Sequence, residues 1–187
     1  MEWLRRILHL PEGAAGVADE VDALHGLVIG MSMAGALVVA LLLLFYVVRY
    51  RRGAGRHQPG RTTPWRVEVA MVLGLGSLFV FWWVLGWNVY RRMSTPPAQA
   101  LDIQVVAKQW MWKFIYPDGR ESIDELVLPV DQAVRLHQTS RDVTHSLYIP
   151  AFRLKKDALP HSVTTLWAEP HSTGTYVLLC SAICCCP

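Results

Sequence analysis

Cys180, Cys184, Cys185 and Cys186 put all four thiols of the chain within its last eight residues. Thiols this close can join as disulfides in an oxidising exterior, or capture zinc or a single copper ion. Of the seven histidines, His137, His145, His161 and His171 all stand between the aromatic run and the cysteines. A lone histidine is ordinarily a hydrogen-bonded core or loop residue, and His9, His25, His57, His137, His161 and His171 fit no further pattern. Trp110, Trp112, Phe114 and Tyr116 recur at every second position, the period of one packed strand face. The acids that follow, Asp118, Glu121, Asp124 and Glu125, offer either a negative surface to a basic partner or a solvated turn. Glu68 is a single acid in an otherwise apolar run, a position that reads either as an interfacial carboxylate paired with Arg66 or as a functional one.

The elements that must carry these groups begin with two apolar stretches. Leu24 to Val48 is a run of 25 residues whose one ionisable group, His25, sits at its edge. As a helix it is roughly 37 Å long, enough to cross a hydrocarbon core of about 30 Å with some tilt. Val67 to Tyr90 is a second such run, and its glycines are tolerated in membrane helices. The rest of a 187-residue chain is too small to wrap two central helices of a soluble core. A cleavable leader fits poorly, because Met1 to Ala23 holds five acids and no continuous apolar stretch.

Basic residues set the expected orientation, since Lys and Arg in short loops resist translocation. The connector Arg49 to Arg66 holds six Arg and no acid, whereas the segment before the first helix has two Arg against five acids. The connector is therefore expected in the cytoplasm, with both termini and everything after Arg92 outside. From Met93 onward eight Lys and Arg face nine Asp and Glu, so the net charge of +3 is mostly the connector. A basic stripe beside a membrane marks topology or an anionic lipid surface and gives nucleic-acid binding little support.

The exported part reads as β-structure. Leu101, Ile103, Val105 and Ala107 alternate with Asp102, Gln104 and Lys108, and the aromatic run continues at the same period. Pro117-Asp118-Gly119 is a turn signal. Short runs at Leu126 to Leu128, Val134 to Thr139, Val143 to Ile149, Thr164 to Ala168 and Thr175 to Cys180 suggest a small sandwich or barrel. Ser94-Thr95-Pro96-Pro97 is the expected hinge. The division is thus an exported segment 1–23, a two-helix transmembrane hairpin 24–92 with helices near 24–48 and 67–90, and an all-β domain 93–187.

Two such helices, followed by Lys108-Gln109-Trp110-Met111-Trp112-Lys113-Phe114-Ile115-Tyr116-Pro117, then Thr139-Ser140-Arg141-Asp142-Val143-Thr144-His145-Ser146 and Ile149-Pro150-Ala151-Phe152, resemble cytochrome c oxidase subunit II. The likeness continues through Lys156-Asp157-Ala158-Leu159-Pro160 and Gly174-Thr175-Tyr176 to Cys180-Ser181-Ala182-Ile183-Cys184, so it covers Val21 to Cys184.

The resemblance implies a cupredoxin-like sandwich holding a dinuclear copper centre that takes electrons from cytochrome c and passes them to a haem-copper catalytic subunit, coupled to proton translocation. On that pattern His145 matches the first imidazole ligand, Cys180 and Cys184 the bridging thiolates, and Ala182 the backbone carbonyl ligand. Soft thiolates suit copper, and two of them four residues apart on a tight loop can each bridge both ions.

Trp110 matches the tryptophan through which electrons come in, and Glu68 the carboxylate near the entrance of a proton pathway. Haem is expected in the partner subunit alone, in a bacterial inner membrane or an equivalent energy-transducing one. Two departures stand out. Ala182 replaces the family's Glu, which argues against a magnesium link to the catalytic subunit, and the second histidine of the pattern falls at position 188, past Pro187. The expectation is a copper loop cut short or frame-shifted, with an incomplete ligand set. A copper-free quinol oxidase subunit II and a membrane-tethered thiol or metal-handling protein are the competing readings.

Overall fold

A computed structural model describes residues 11–51 and 63–182. Cys184, Cys185 and Cys186 and most of the arginine-rich connector lie outside the described residues. By compactness the chain divides into a helical unit, Leu24–Trp87, and a second unit that joins Met1–Ala23 to Asn88–Pro187.

Helix α1 runs Gly16–Arg49 and α2 runs Trp65–Ser94. Each has an acid in its first turn, Asp19 or Glu68, and arginine in its last, Arg49 or Arg91 and Arg92, the arrangement that the helix dipole favours. Their most apolar 18-residue windows have none of their residues buried. A helix of this composition with nothing covering it is stable where its solvent is hydrocarbon, which also satisfies the demand that all backbone groups pair internally.

The second unit is a β-sandwich. Its larger sheet has the strand order β3-β2-β1-β4-β7, and the smaller has β6-β5-β8. The strands are β1 Leu101–Lys108, β2 Met111–Ile115, β3 Glu121–Ile123, β4 Val134–Ser140, β5 His145–Ile149, β6 Leu154–Ala158, β7 Thr164–Ala168 and β8 Leu179–Cys180. The first hairpin is tight: Lys108 pairs with Met111 across the two residues Gln109 and Trp110. β1 then lies parallel to β4, with Leu101 opposite Val134 and Ala107 opposite Ser140. β5 runs antiparallel to both β6 and β8.

Alternation sets the core. Ile103, Val105 and Ala107 of β1, Trp112 and Phe114 of β2, and Val134 and Leu136 of β4 turn inward to meet Leu147, Ile149, Leu154 and Ala158 from the smaller sheet. Burying a side chain such as Phe114 contributes about 1.5–3 kcal/mol. Gln138 occupies the next inward position of β4, is fully buried, and has no hydrogen-bond partner for either amide atom among the described residues.

Two findings differ from the sequence expectation. The helical part of α1 starts at Gly16, ahead of the apolar run, and the stretch leading into it packs on the sandwich: Ala14, Ala15, Val17 and Ala18 are buried, and Ala15 bridges to Pro170. Asp22 completes this contact with a nearly buried two-point ion pair to Arg153, at 2.8 and 3.1 Å. The strand set also shifts. Leu126 to Leu128 is not a strand, the last run shrinks to the two residues of β8, and β3 and β6 are additions. At Pro117-Asp118-Gly119 the turn is present as expected, with Gly119 at φ 82° and its N–H donating to the Tyr116 carbonyl.

Candidate functional site

The site lies where the β1–β2 turn, the loop between β4 and β5, and β8 come together. In the turn, Trp110 is 70% exposed, whereas Trp112, two residues on, is buried. Trp110 therefore does not share the packed strand face, because the chain reverses before it and β2 begins only at Met111. Trp112 meets the imidazole of His145 edge to face, with ring centroids 5.8 Å apart at 70°.

His145 opens β5 and is almost wholly buried. Its partner across the smaller sheet is set by β8, where Cys180 pairs with Leu147 and Ser181 N–H donates to the Ser146 carbonyl at 2.9 Å. This register brings Cys180 Sγ to 3.9 Å from His145 Nδ1. With metal–nitrogen and metal–sulfur bonds of about 2.0 and 2.3 Å, two ligands of one ion stand roughly 3.5–4 Å apart. The pair therefore fits a copper- or zinc-sized ion by both chemistry and spacing.

Asp142 holds the other side of the ring. Its Oδ1 accepts from His145 Nε2 at 2.8 Å and from Val143 N–H at 2.7 Å, and its Oδ2 accepts from Gln109 N–H at 2.7 Å. The Ser140 hydroxyl donates to Oδ1 at 3.2 Å and to the Val143 carbonyl. Burial alone raises the pKa of Asp142, but the Gln109 amide, the His145 ring, the Val143 amide and the Ser140 hydroxyl outweigh it. Together they hold the carboxyl well below its ordinary value of 3.8.

The other residues singled out in the sequence are dispersed. Ala182 lies at a bend just after β8, and Cys184 is outside the described residues. Among the described residues no group of three or more His, Cys, Asp and Glu is placed to hold a metal. Glu68 is exposed in the first turn of α2, in the helical unit. Three of the four acids after the aromatic run have local partners. Asp118 pairs with Arg120 at 2.5 Å, Glu121 pairs with Lys113 at 2.8 Å, and Asp124 accepts the Trp112 amide at 2.7 Å. The Arg120 amide leads the interactions that lower the pKa of Asp118.

Asp142 is the residue that sequence reasoning passed over. Its signal was present in Asp142-Val143-Thr144-His145, where an acid three residues ahead of an imidazole in a turn can reach back to the ring.

Fold and site together define a helix-anchored β-sandwich with a buried imidazole beside a half-buried thiol at one edge. The family model for "Cytochrome C oxidase subunit II, periplasmic domain" matches residues 119–187. The alternative cytochrome c oxidase subunit 2 of Bradyrhizobium diazoefficiens is 28% identical over 181 aligned positions, covering 78% of this chain and 64% of that protein. The cytochrome c oxidase subunit 2 of Thermostichus vulcanus is 29% identical, covering 94% of this chain and 70% of that protein. Among solved structures, the periplasmic domain of subunit II of cytochrome oxidase from Bradyrhizobium japonicum is 31% identical, covering 48% of this chain and 78% of that one with a TM-score of 0.46.

These matches make the chain a subunit II of the haem-copper oxidase kind. It spans about two thirds of the length of those two curated relatives. As in that family, two apolar helices anchor an outward-facing domain in an inner membrane.

Proposed function

We propose that this chain is the electron-accepting subunit of a respiratory cytochrome c oxidase, taking electrons from cytochrome c and delivering them to a haem-copper catalytic subunit. The observation that carries the reading is the approach of Cys180 Sγ to within 3.9 Å of His145 Nδ1. Behind that pair stands the buried Trp112, and beyond it the exposed Trp110. Copper bound there would supply a one-electron carrier, with His145, Cys180, Cys184 and the backbone carbonyl of Ala182 as this chain's ligands.

The protein's own part is to keep that carrier's surroundings fixed. His145 and Cys180 are set on paired strands of one sheet, so neither moves without breaking ladder hydrogen bonds, and Trp112 excludes water from one face of the imidazole. Trp110 presents an aromatic surface to the donor. Glu68, at the start of α2, is the proposed proton-pathway carboxylate. The arginine-rich connector is proposed on the cytoplasmic side, where a cysteine placed at Gly55 would be reached by impermeant reagents only after the inner face is opened.

Copper loading followed by electron paramagnetic resonance tests the reading. The protein is expected to take up copper with a signal that His145→Ala and Cys180→Ala each abolish, and to accept electrons from reduced cytochrome c. Failure to bind copper would support instead a copper-free subunit II of the quinol oxidase kind.

A further inference from the structure

We propose that Asp142 is a positioning residue, one carboxylate that fixes both the turn bearing Trp110 and the imidazole of His145. The inference rests on the reading of His145 and Trp110 given above, but its geometry stands by itself. An ionised carboxylate only accepts hydrogen bonds, so the proton facing Asp142 Oδ1 at 2.8 Å belongs to His145 Nε2. In the neutral ring this leaves the lone pair on Nδ1, the atom that faces Cys180 Sγ. Asp142 thereby selects the tautomer that can bind metal on the thiol side, and holds the ring there within a nearly closed pocket.

The second oxygen of the same carboxylate accepts the Gln109 amide at 2.7 Å. Gln109 and Trp110 are the two turn residues between β1 and β2, and with Trp110 largely exposed no core contact of its side chain fixes the turn. Arg141 N–H donates to the Ala107 carbonyl at 3.0 Å, so the loop and the hairpin are already side by side, and Asp142 adds the contact aimed at the turn itself. Two hydrogen bonds through one carboxylate thus connect the exposed aromatic residue to the buried imidazole. Disturbing this carboxylate loosens both ends together, whereas removing Ser140 Oγ takes away its bonds to Asp142 and to the Val143 carbonyl and leaves the Gln109 and His145 bonds in place.

The test uses the full chain in detergent or nanodiscs, without metal, labelled with nitrogen-15 in histidine and in the backbone. In the unaltered protein His145 is expected as the Nε2–H tautomer, with a slowly exchanging Gln109 amide. In Asp142→Ala the tautomer preference is expected to be lost and Gln109 exchange to speed up by roughly ten- to a hundredfold, the scale of a lost charge-assisted hydrogen bond. Asp142→Asn, which retains one accepting oxygen, should preserve one of the two contacts. Ser140→Ala should preserve both. Copper affinity should fall by about 10–100-fold in Asp142→Ala, as for other ligand-orienting partners.

An Nδ1–H tautomer in the unaltered protein overturns the proposal, and this outcome needs no variant to fold. So does an Asp142→Ala protein with native circular dichroism and unchanged Gln109 exchange. If the tautomer and exchange results hold while no form of the chain takes copper, the copper reading fails and the positioning role stands.

Discussion

The helical unit and the sandwich spend the same residue types in opposite ways. Leu42, Leu44, Val47 and Phe79 in the helices are each more than half exposed, whereas Leu136, Leu147, Val105 and Phe114 in the sandwich are fully or almost fully buried. In the sandwich the apolar side chain leaves water by packing against others; in the helices it meets a solvent that is itself apolar. Exposure of a leucine therefore means nothing until the medium is named, and the length of the helices names it.

Substitutions chosen on the two sides sharpen that contrast. Phe114→Ala should cost the sandwich about 3–5 kcal/mol by chemical denaturation, while Phe79→Ala in α2 should leave the sandwich transition where it was. Equal effects would break the division of the chain. Leu42→Arg should disfavour membrane insertion by about 2.5–3.5 kcal/mol in a translocon reporter assay, with little change in the unfolding of whatever sandwich is exported. In the opposite direction, Gln138→Met should stabilise the sandwich by about 1–3 kcal/mol, because it removes two buried amide atoms that lack partners and keeps the side chain's length. A loss of stability would mean that the amide has a partner, such as buried water. Trp110→Ala should change stability least, within about 0.5 kcal/mol, while slowing reduction by cytochrome c. A large loss of stability would return Trp110 to the core face.

Both helices and most of the larger sheet were legible from the sequence, because 25 apolar residues in a row or a clean period of two leaves little choice. β7 matches its expected bounds, and β4 differs by one residue. β6 was hidden because Lys155, Lys156 and Asp157 are all exposed between its two buried ends, so the strand shows no alternation. The docking of Ala14 to Ala18 was hidden because these small residues carry no period of two or of 3.6 that would mark a packed face. Trp110 was placed in phase with Trp112 by a period that crosses a two-residue turn unseen. At the site, the meeting of His145 with Cys180 followed from the family resemblance rather than from spacing. The part of Asp142 depended on a turn geometry that a string of letters does not express.

β8 is two residues long and is joined to β5 through Leu147 and Tyr148, with Ser181 adding one more bond to Ser146. Peeling such an edge breaks a handful of hydrogen bonds, each with a net value of about 0.5–1.5 kcal/mol, and leaves the five-stranded sheet intact. Local opening of this kind lies at the low end of the free-energy scale, far below global unfolding. The thiol of Cys180 can therefore come into solvent from a sandwich that is already folded. Access to this sulfur is then set by how often one short strand frays, and not by the unfolding of the domain.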